Sequence, residues 1–500
     1  PSNFCGGDDM GMVRTLLLAG VGVVAVGAAV VAVRTLTYAP PSAVDLSKVA
    51  LVAAPKIDIN AAAAHLGEAV RFQTVSHQDK ADNDLTQWDA LHAWLVTTYP
   101  AVHKVMRREV LAGHALLYTW PGSDASLPPL ILMAHQDVVP VSEGTEDDWK
   151  HPPFSGVIAD GAVWGRGTID DKGALVGLFE AFETLAAGGF VPRRTVLLVS
   201  GHDEEVGGSG AVAVAAALKA RGTKALLTLD EGSVIVKDNP VTGGPAILIG
   251  VAEKGYATLE VTAEGAGGHS SMPPPETAVG TLARAIVAIT DSPFPLRFSG
   301  PGAMMLEALA PAASWPVRMA VANQWLFSRL LTKQMGGTPT GAAMLHTTIA
   351  PTMLEGSPKE NVLPATALAR INYRIAPSDS SADVLTHTKA ALGNIPVTLA
   401  WNRPPREPTP VSSTSSEGWK WVAASAAAAS PGNPLAPSLV VAGTDSRSMS
   451  GVSADVYRFQ PIELTMAGTK MIHGTNEHMT LDNLQRTISF YAQLVASAAK

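Results

Sequence analysis

The sequence predicts an α/β protein built on a mostly parallel sheet, interrupted by a smaller α+β unit and preceded by an apolar segment of membrane-spanning length. Three observations carry this. First, continuous apolar runs of strand length (130–134, 195–200 and 225–229) alternate with helical runs (173–187 and 209–220). Such alternation marks βαβ units and a sheet covered on both faces. Second, the pattern changes near Glu253 to period-two strands at 256–263, 345–355 and 366–375, with helices at 277–289 and 381–392 and a strand at 396–401. Third, residues 15–33 are almost wholly apolar, carry no charge and are bracketed by Arg14 and Arg34. That length suits a bilayer-crossing helix; a cleaved secretory signal is the competing reading.

In chain order, 1–38 reads as an irregular leader followed by the transmembrane or signal segment. Residues 39–59 read as a Pro- and Ala-containing linker. Residues 60–253 form the first part of the large domain, opening with helices at 60–74 and 85–99 and a short strand at 114–120. Residues 254–403 form the inserted unit, and 404–500 return to the large domain with helices at 419–429 and 484–498. Within the insert, 293–341 is Pro-rich and apolar. It is compatible with an acyl-chain groove, and packing of the inserted unit or a dimer contact takes precedence.

The chain of 500 residues has a net charge of −8, which leaves no basic footprint for nucleic acid. A single cysteine, Cys5, excludes an intrachain disulfide and a thiolate metal site. Any metal must be held by imidazole and carboxylate.

In parallel sheets, sites lie beyond the carboxyl ends of the strands. His135-Gln136-Asp137 follows the first apolar run, His202-Asp203-Glu204-Glu205 the second, and Asp230-Glu231-Gly232 ends the third. The turn Gly165-Arg166-Gly167-Thr168-Ile169-Asp170-Asp171-Lys172-Gly173 adds two carboxylates just before a helix. Alone, an Asp pair there is a cap plus a solvated charge. Three strand ends with ligand-type residues on one edge alter that balance.

Two divalent cations about 3.5–4 Å apart need a bridging carboxylate and terminal ligands on each side. Asp170 suits the bridge, His135 and Asp230 one side, and Glu205 and His473 the other. Asp137 is placed to hold the His135 ring. Glu204 is the candidate general base, taking a proton from the attacking water and returning it to the leaving amine. For an isolated Glu-Glu a solvated acidic loop would be the ordinary explanation.

These stretches, with Gly268-His269-Ser270-Ser271, Asn361-Val362-Leu363-Pro364 and Ile472-His473-Gly474, resemble the di-zinc family of aminoacylase and glutamate carboxypeptidase. Within it the chain is similar to the branch of carboxypeptidase S and the secreted N-fatty-acyl-amino-acid synthase/hydrolase. Trp149 with Pro152-Pro153-Phe154-Ser155-Gly156, and Gly443-Thr444-Asp445-Ser446-Arg447, match that branch. The resemblance runs from about residue 60 to the C-terminus.

It implies two Zn2+ per chain, with Co2+ or Mn2+ as substitutes, and a cis peptide after Asp170. It implies that the insert is a ferredoxin-like lid that dimerises, with His269 reaching the partner's site to stabilise the oxyanion. Asn361 and Arg374 match lid residues that bind substrate near its carboxylate, and Arg447 is a further candidate for the same group. Without the resemblance, His269 reads as a loop histidine and Arg374 as an exposed strand arginine.

The expected activity is hydrolysis, and in principle condensation, of N-acyl amino acids, including long-chain N-fatty-acyl ones. Removal of C-terminal residues from short peptides is the alternative, with identical chemistry. A non-catalytic membrane-tethered binding protein would require a missing ligand or base. The expected location is an extracytoplasmic catalytic domain on a membrane anchor, or a secreted one if the segment is cleaved.

Overall fold

The computed structural model describes residues 8–41 and 44–500. Its centre is a ten-stranded sheet. The strand order is Arg107–Leu111, Ala115–Trp120, Val196–Ser200, Leu130–Met133, Leu227–Asp230, Val456–Arg458, Gly244–Glu253, Ile235–Asn239 and Glu463–Leu464, with Leu435–Val440 also paired to Gly244–Glu253. The sheet is mixed rather than mostly parallel, with five parallel and four antiparallel pairings. The four central strands, Val196–Ser200 to Val456–Arg458, are parallel, as the helix–strand alternation requires. The antiparallel pairs arise at the flanks, where Ala112-Gly113 turns one hairpin at positive φ. Strand Val456–Arg458 arrives late in the chain yet lies between Leu227–Asp230 and Gly244–Glu253.

One face of the sheet packs against helices Ile59–Arg71, Lys172–Ala187 and Leu481–Ala498 in the main core. Lys172–Ala187 is apolar nearly all round and buried on almost every side, as a helix between a sheet and two other helices must be. Ser209–Ala220 covers the other face with a smaller cluster. Helix Ile59–Arg71 approaches the neighbouring loop with no room for a side chain: a Cβ on Gly67 would stand 2.5 Å from the Gly156 carbonyl oxygen, and Gly156 has φ +58°. Residues 44–57 lie against the body, with Val52 N–H donating to Ser497 Oγ at 2.9 Å.

The inserted region forms a four-stranded antiparallel sheet, ordered Thr348–Glu355, Thr366–Ile375, Gly255–Glu264, Val397–Trp401. Helices Ala278–Thr290 and Ser381–Leu392 cover one face, so Thr366–Ile375 alternates strictly between buried and less buried residues. The segment 300–343 stands apart from that core. Helix Gly300–Leu309 packs on Leu435–Val440 of the large sheet. Helices Trp315–Ala322 and Gln324–Gly336 make their own small cluster with Leu306, Ala310 and Val321.

The N-terminal helix runs Asp8–Leu36, so it begins inside the stretch expected to be an irregular leader; residues 1–7 lie outside the described part. Its segment Val13–Leu36 is long and apolar enough to cross a membrane, with mean hydropathy 2.7.

Candidate metal centre

The parallel strands Leu130–Met133, Val196–Ser200 and Leu227–Asp230 deliver their carboxyl ends side by side. His135, the Glu204–Val206 turn and Glu231 follow them directly. Asp170 comes from the glycine turn before helix Lys172–Ala187, and His473 from a late loop at φ +60°. The Asp170–Asp171 peptide is cis.

Asp170 is the centre of the cluster. Its Oδ1 lies 2.9 Å from His135 Nε2 and its Oδ2 lies 3.0 Å from His473 Nε2. His473 Nε2 is also 3.1 Å from Glu205 Oε2, and His135 Nε2 is 3.5 Å from Glu231 Oε1. One carboxylate is thus shared between two imidazoles, each with a further carboxylate. His135, Asp170 and Glu205 form one group able to hold an ion, and His135, Glu204 and Glu231 a second. Glu205 Oε1 is buried with no hydrogen-bond partner. The donors are the hard oxygen and imidazole ligands that divalent metals take, so the residues present fit a metal.

Asp230 departs from expectation. Its Oδ2 accepts from the Ser446 backbone N–H at 2.8 Å, while Glu231 turns its carboxylate to His135. Asp230 was the expected ligand, and Glu231 beside it brings a second carboxylate to His135.

Asp137 is wholly buried and organises two elements. His135 Nδ1 lies 3.3 Å from its Oδ1 and 3.0 Å from its carbonyl oxygen, which leaves Nε2 for the cluster. The same carboxylate accepts from the backbone N–H groups of Glu204 (3.0 Å) and Glu205 (3.1 Å) and from Ser76 Oγ (2.6 Å).

Three further residues hold the site and were not legible as functional. Buried Glu477 accepts from Arg166 Nη1 at 2.8 Å and from the backbone N–H groups of Ile169 (2.8 Å) and Asp170 (3.2 Å). Arg166 also donates to the His473 carbonyl at 3.3 Å, so the pair joins the two loops that carry Asp170 and His473. Gln460 Nε2 donates to Asp171 Oδ1 at 2.5 Å, and Asp171 Oδ2 accepts from the His135 backbone N–H at 3.1 Å.

The electrostatics match a cation well. Burial, reinforced by Glu231 and Asp445 and opposed by His135, pushes Glu204 well above the usual carboxylate range. Burial and the Asp170 charge push Glu231 up to about 8. Burial alone would raise Asp170 too, but hydrogen bonds from His135 and His473 hold it below the usual range. Hydrogen bonds to Asp170 and Glu205 raise His473 to about 10. A field that draws protons to imidazoles also draws divalent cations.

The cluster opens into a cleft of about 1100 Å³. Its acidic floor faces a wall that includes Arg370, Arg374, Arg403, Arg406 and Arg447. Arg370 is occupied by Glu260 and Glu355, and Arg447 donates to the Glu407 carbonyl at 3.0 Å and lies 3.7 Å from Glu253. Arg374 lies over the Tyr256 ring at 4.7 Å and, among the described residues, has no carboxylate at ion-pair distance. Burial lowers its pKa. His269 and Asn361 sit together on an exposed two-stranded ribbon, Ser270 N–H donating to the Asn361 carbonyl at 3.2 Å, and neither lines the cleft of its own chain.

The comparisons agree with this geometry. Residues 131–497 match the model of peptidase family M20/M25/M40. The chain is 37% identical to the N-fatty-acyl-amino acid synthase/hydrolase PM20D1.1 of Danio rerio, over 86% of this chain and 84% of that protein. It is 32% identical to carboxypeptidase S of Saccharomyces cerevisiae, over 88% and 84%. Among solved structures, the M20 metallo-carboxypeptidase Sso-CP2 of Sulfolobus solfataricus shares the fold with a TM-score of 0.64 at 17% identity, covering 87% of this chain and 98% of that one. The chain is a member of peptidase family M20/M25/M40.

Proposed function

We propose that the protein is a metal-dependent amidohydrolase that cleaves N-acyl amino acids, including long-chain N-fatty-acyl ones. The observation that carries the reading is the Asp170 carboxylate shared between His135 and His473, with Glu204 beside it at the mouth of a cleft walled by arginine. The relatives named as N-fatty-acyl-amino acid synthase/hydrolase support the substrate class.

In this reading two zinc ions, replaceable by Co2+ or Mn2+, would be held by Asp170, His135, Glu205 and His473, with Asp230 or Glu231 completing the set. When bound, such ions polarise the amide carbonyl and strengthen water as a nucleophile. Glu204 does the proton work. It is placed to take a proton from the attacking water and hand it to the leaving nitrogen. Asp137 fixes the His135 ring and the Glu204-Glu205 turn through one carboxylate. Arg374, which has no partner carboxylate among the described residues, binds the substrate carboxylate with its planar fork, and Arg447 lines the same wall.

The 254–403 unit acts as a lid and dimerisation domain between catalytic parts 60–253 and 404–500. His269 and Asn361 serve a partner's cleft rather than their own, which accords with their absence from the lining of the cleft in their own chain. The 13–36 helix, preceded by the leader and joined through 39–59, anchors an extracytoplasmic enzyme, or is cleaved to release it.

A carboxypeptidase acting on short peptides uses the same residues, and relatives named carboxypeptidase S favour it as the second reading. Hydrolysis of N-oleoyl-phenylalanine and of a blocked dipeptide, assayed in parallel with Glu204→Gln as blank, separates the two. Preference for the oleoyl substrate is expected. Preference for the dipeptide assigns the carboxypeptidase, and equal rates with the blank overturn both.

A further inference from the structure

The segment between Glu307 and Glu355 contains no acidic residue, although the chain as a whole carries a net charge of −8. It contains Arg318, Arg329 and Lys333. Its helices expose large apolar side chains: Trp315 is 50% exposed, Trp325 63%, Leu326 53% and Leu330 54%. In helix Gln324–Gly336 these lie on one face, since positions 325, 326, 329, 330 and 333 are all exposed and recur at helical spacing. The buried side of the same helix is Leu331, packed in the small cluster. A face that alternates Trp and Leu with Arg and Lys is unlike a solvated surface, and among the described residues no carboxylate lies at ion-pair distance from its cations.

The position of this face decides what covers it. Helix Trp315–Ala322 and Asn323 grip the end of the N-terminal apolar helix. Arg34 Nε donates to the Ala322 carbonyl at 3.1 Å, and Asn323 Nδ2 donates to the Val31 carbonyl at 3.3 Å and to Thr35 Oγ1 at 3.2 Å. Arg318 Nη2 donates to the Leu36 carbonyl at 3.2 Å, and Tyr38 OH to the Glu307 carbonyl at 3.3 Å. Thr35 is fully buried by this contact, while Val13, Leu16, Val21 and Val24 on the same helix are exposed. Val31 is five residues before Leu36, about 7 Å along the axis at 1.5 Å per residue. Helix Trp315–Ala322 and Asn323, which leads into Gln324–Gly336, therefore flank the last turn and a half of the apolar stretch, the depth at which a spanning helix leaves hydrocarbon for headgroups. A cavity of about 600 Å³ opens at the junction, lined by Arg34, Tyr38, Gln324 and Trp325 among others.

We propose that helices Trp315–Ala322 and Gln324–Gly336 form a membrane-docking platform, with Trp325, Leu326 and Leu330 set into the headgroup–acyl boundary and Arg329 and Lys333 on anionic lipid headgroups. Tryptophan at the boundary and basic residues on an apolar helix face are the features by which such surfaces hold to lipid. The proposal rests on the reading that the 13–36 helix spans the bilayer. It goes beyond that reading by giving the catalytic body a second, peripheral contact.

The test uses the full chain in proteoliposomes, in a Cys5→Ser background, with an environment-sensitive fluorophore on Leu326→Cys or, separately, on Val23→Cys. Quenching by a nitroxide-bearing lipid and by aqueous iodide is read for each. The expected result is that the Leu326 probe is quenched at least by half by a nitroxide near the headgroup and is protected from iodide. Its quenching should rise several-fold when phosphatidylcholine vesicles include phosphatidylglycerol, and Arg329→Ala with Lys333→Ala should abolish that rise. A Leu326 probe open to iodide, beside a Val23 probe quenched by deep nitroxide, overturns the platform and leaves the span standing. A Leu326 probe shielded from both quenchers shows that protein covers the face, a second copy included, and also overturns it. A Val23 probe untouched by lipid nitroxide overturns the span and the platform together.

Discussion

Replacing Glu477 by alanine tests how the metal centre is held. The side chain is wholly buried, pairs with Arg166 at 2.8 Å and accepts from the backbone N–H groups of Ile169 and Asp170, among others. Its loss leaves the Arg166 charge buried beside the His473 loop, and breaking such a pair from one side costs about 3–5 kcal/mol. Each orphaned N–H adds roughly 1–3 kcal/mol where no water reaches it, which pushes the total to the top of that range or above. Against a stability of about 5–15 kcal/mol, the variant is expected to fold with little margin. Its metal affinity should fall roughly 10–100-fold, as when outer partners of ligands are removed. Urea unfolding of the metal-stripped protein and zinc competition with a chromophoric chelator measure the two effects separately. The double variant Arg166→Met with Glu477→Met should recover the ion-pair part of the stability, because apolar replacement of a buried pair is near neutral. It should not recover affinity, because the amides that position Ile169 and Asp170 still lack an acceptor. A Glu477→Ala protein within about 1 kcal/mol of the wild type, with unchanged affinity, would refute the reasoning.

Further outcomes follow from the same geometry. Glu204→Gln should lower kcat by about 10²–10⁴, compared at equal metal content because Glu204 also stands in one of the groups able to hold an ion. Glu231→Ala should weaken metal binding by at least about tenfold in chelator competition, whereas Asp230→Ala should act mainly on stability through the loss of its bond from Ser446. Burial lowers His92 to about 4, with its Nε2 2.6 Å from Gln136 Oε1. Between pH 6.5 and about 4 the unfolded chain therefore binds the extra proton, so stability falls as pH falls through that window, by at most about 3 kcal/mol. His92→Gln should remove that part of the pH slope in thermal melts. Gly67→Ala sets a Cβ 2.5 Å from the Gly156 carbonyl oxygen and should destabilise by about 1–3 kcal/mol, measured by urea unfolding.

Much of this architecture is written locally. Helices Ser209–Ala220 and Ser381–Leu392 and strand Thr366–Ile375 fall where periodicity and caps place them, the second with a Ser380–Asp383 capping box. The cluster of His135, Asp170, Glu204, Glu205 and His473 was legible because each residue follows a strand or a glycine turn, and parallel strands collect their ends on one edge. What was not legible depends on partners distant in sequence. Nothing near Glu477 marks it as the acceptor for Arg166, 311 residues away. Choosing Glu231 over Asp230 needs the direction of one strand's last side chain. The antiparallel flanks of the sheet escaped because the helix–strand alternation speaks only for its centre.

The place of strand Val456–Arg458 has a consequence for how the protein is made. It separates Leu227–Asp230 from Gly244–Glu253, so neither of those strands can find its final neighbour until the ribosome has passed residue 458. At about 5–20 residues per second, the roughly 230 intervening residues take on the order of 10–45 s. Through that interval the nascent chain carries two unpaired apolar strand edges, which are templates for mispairing. His473 emerges later still, so the proposed ligand set would be complete only on a nearly finished chain. In that reading metal loading would be a late event in biosynthesis, and a truncated product lacking the last thirty residues would lack His473.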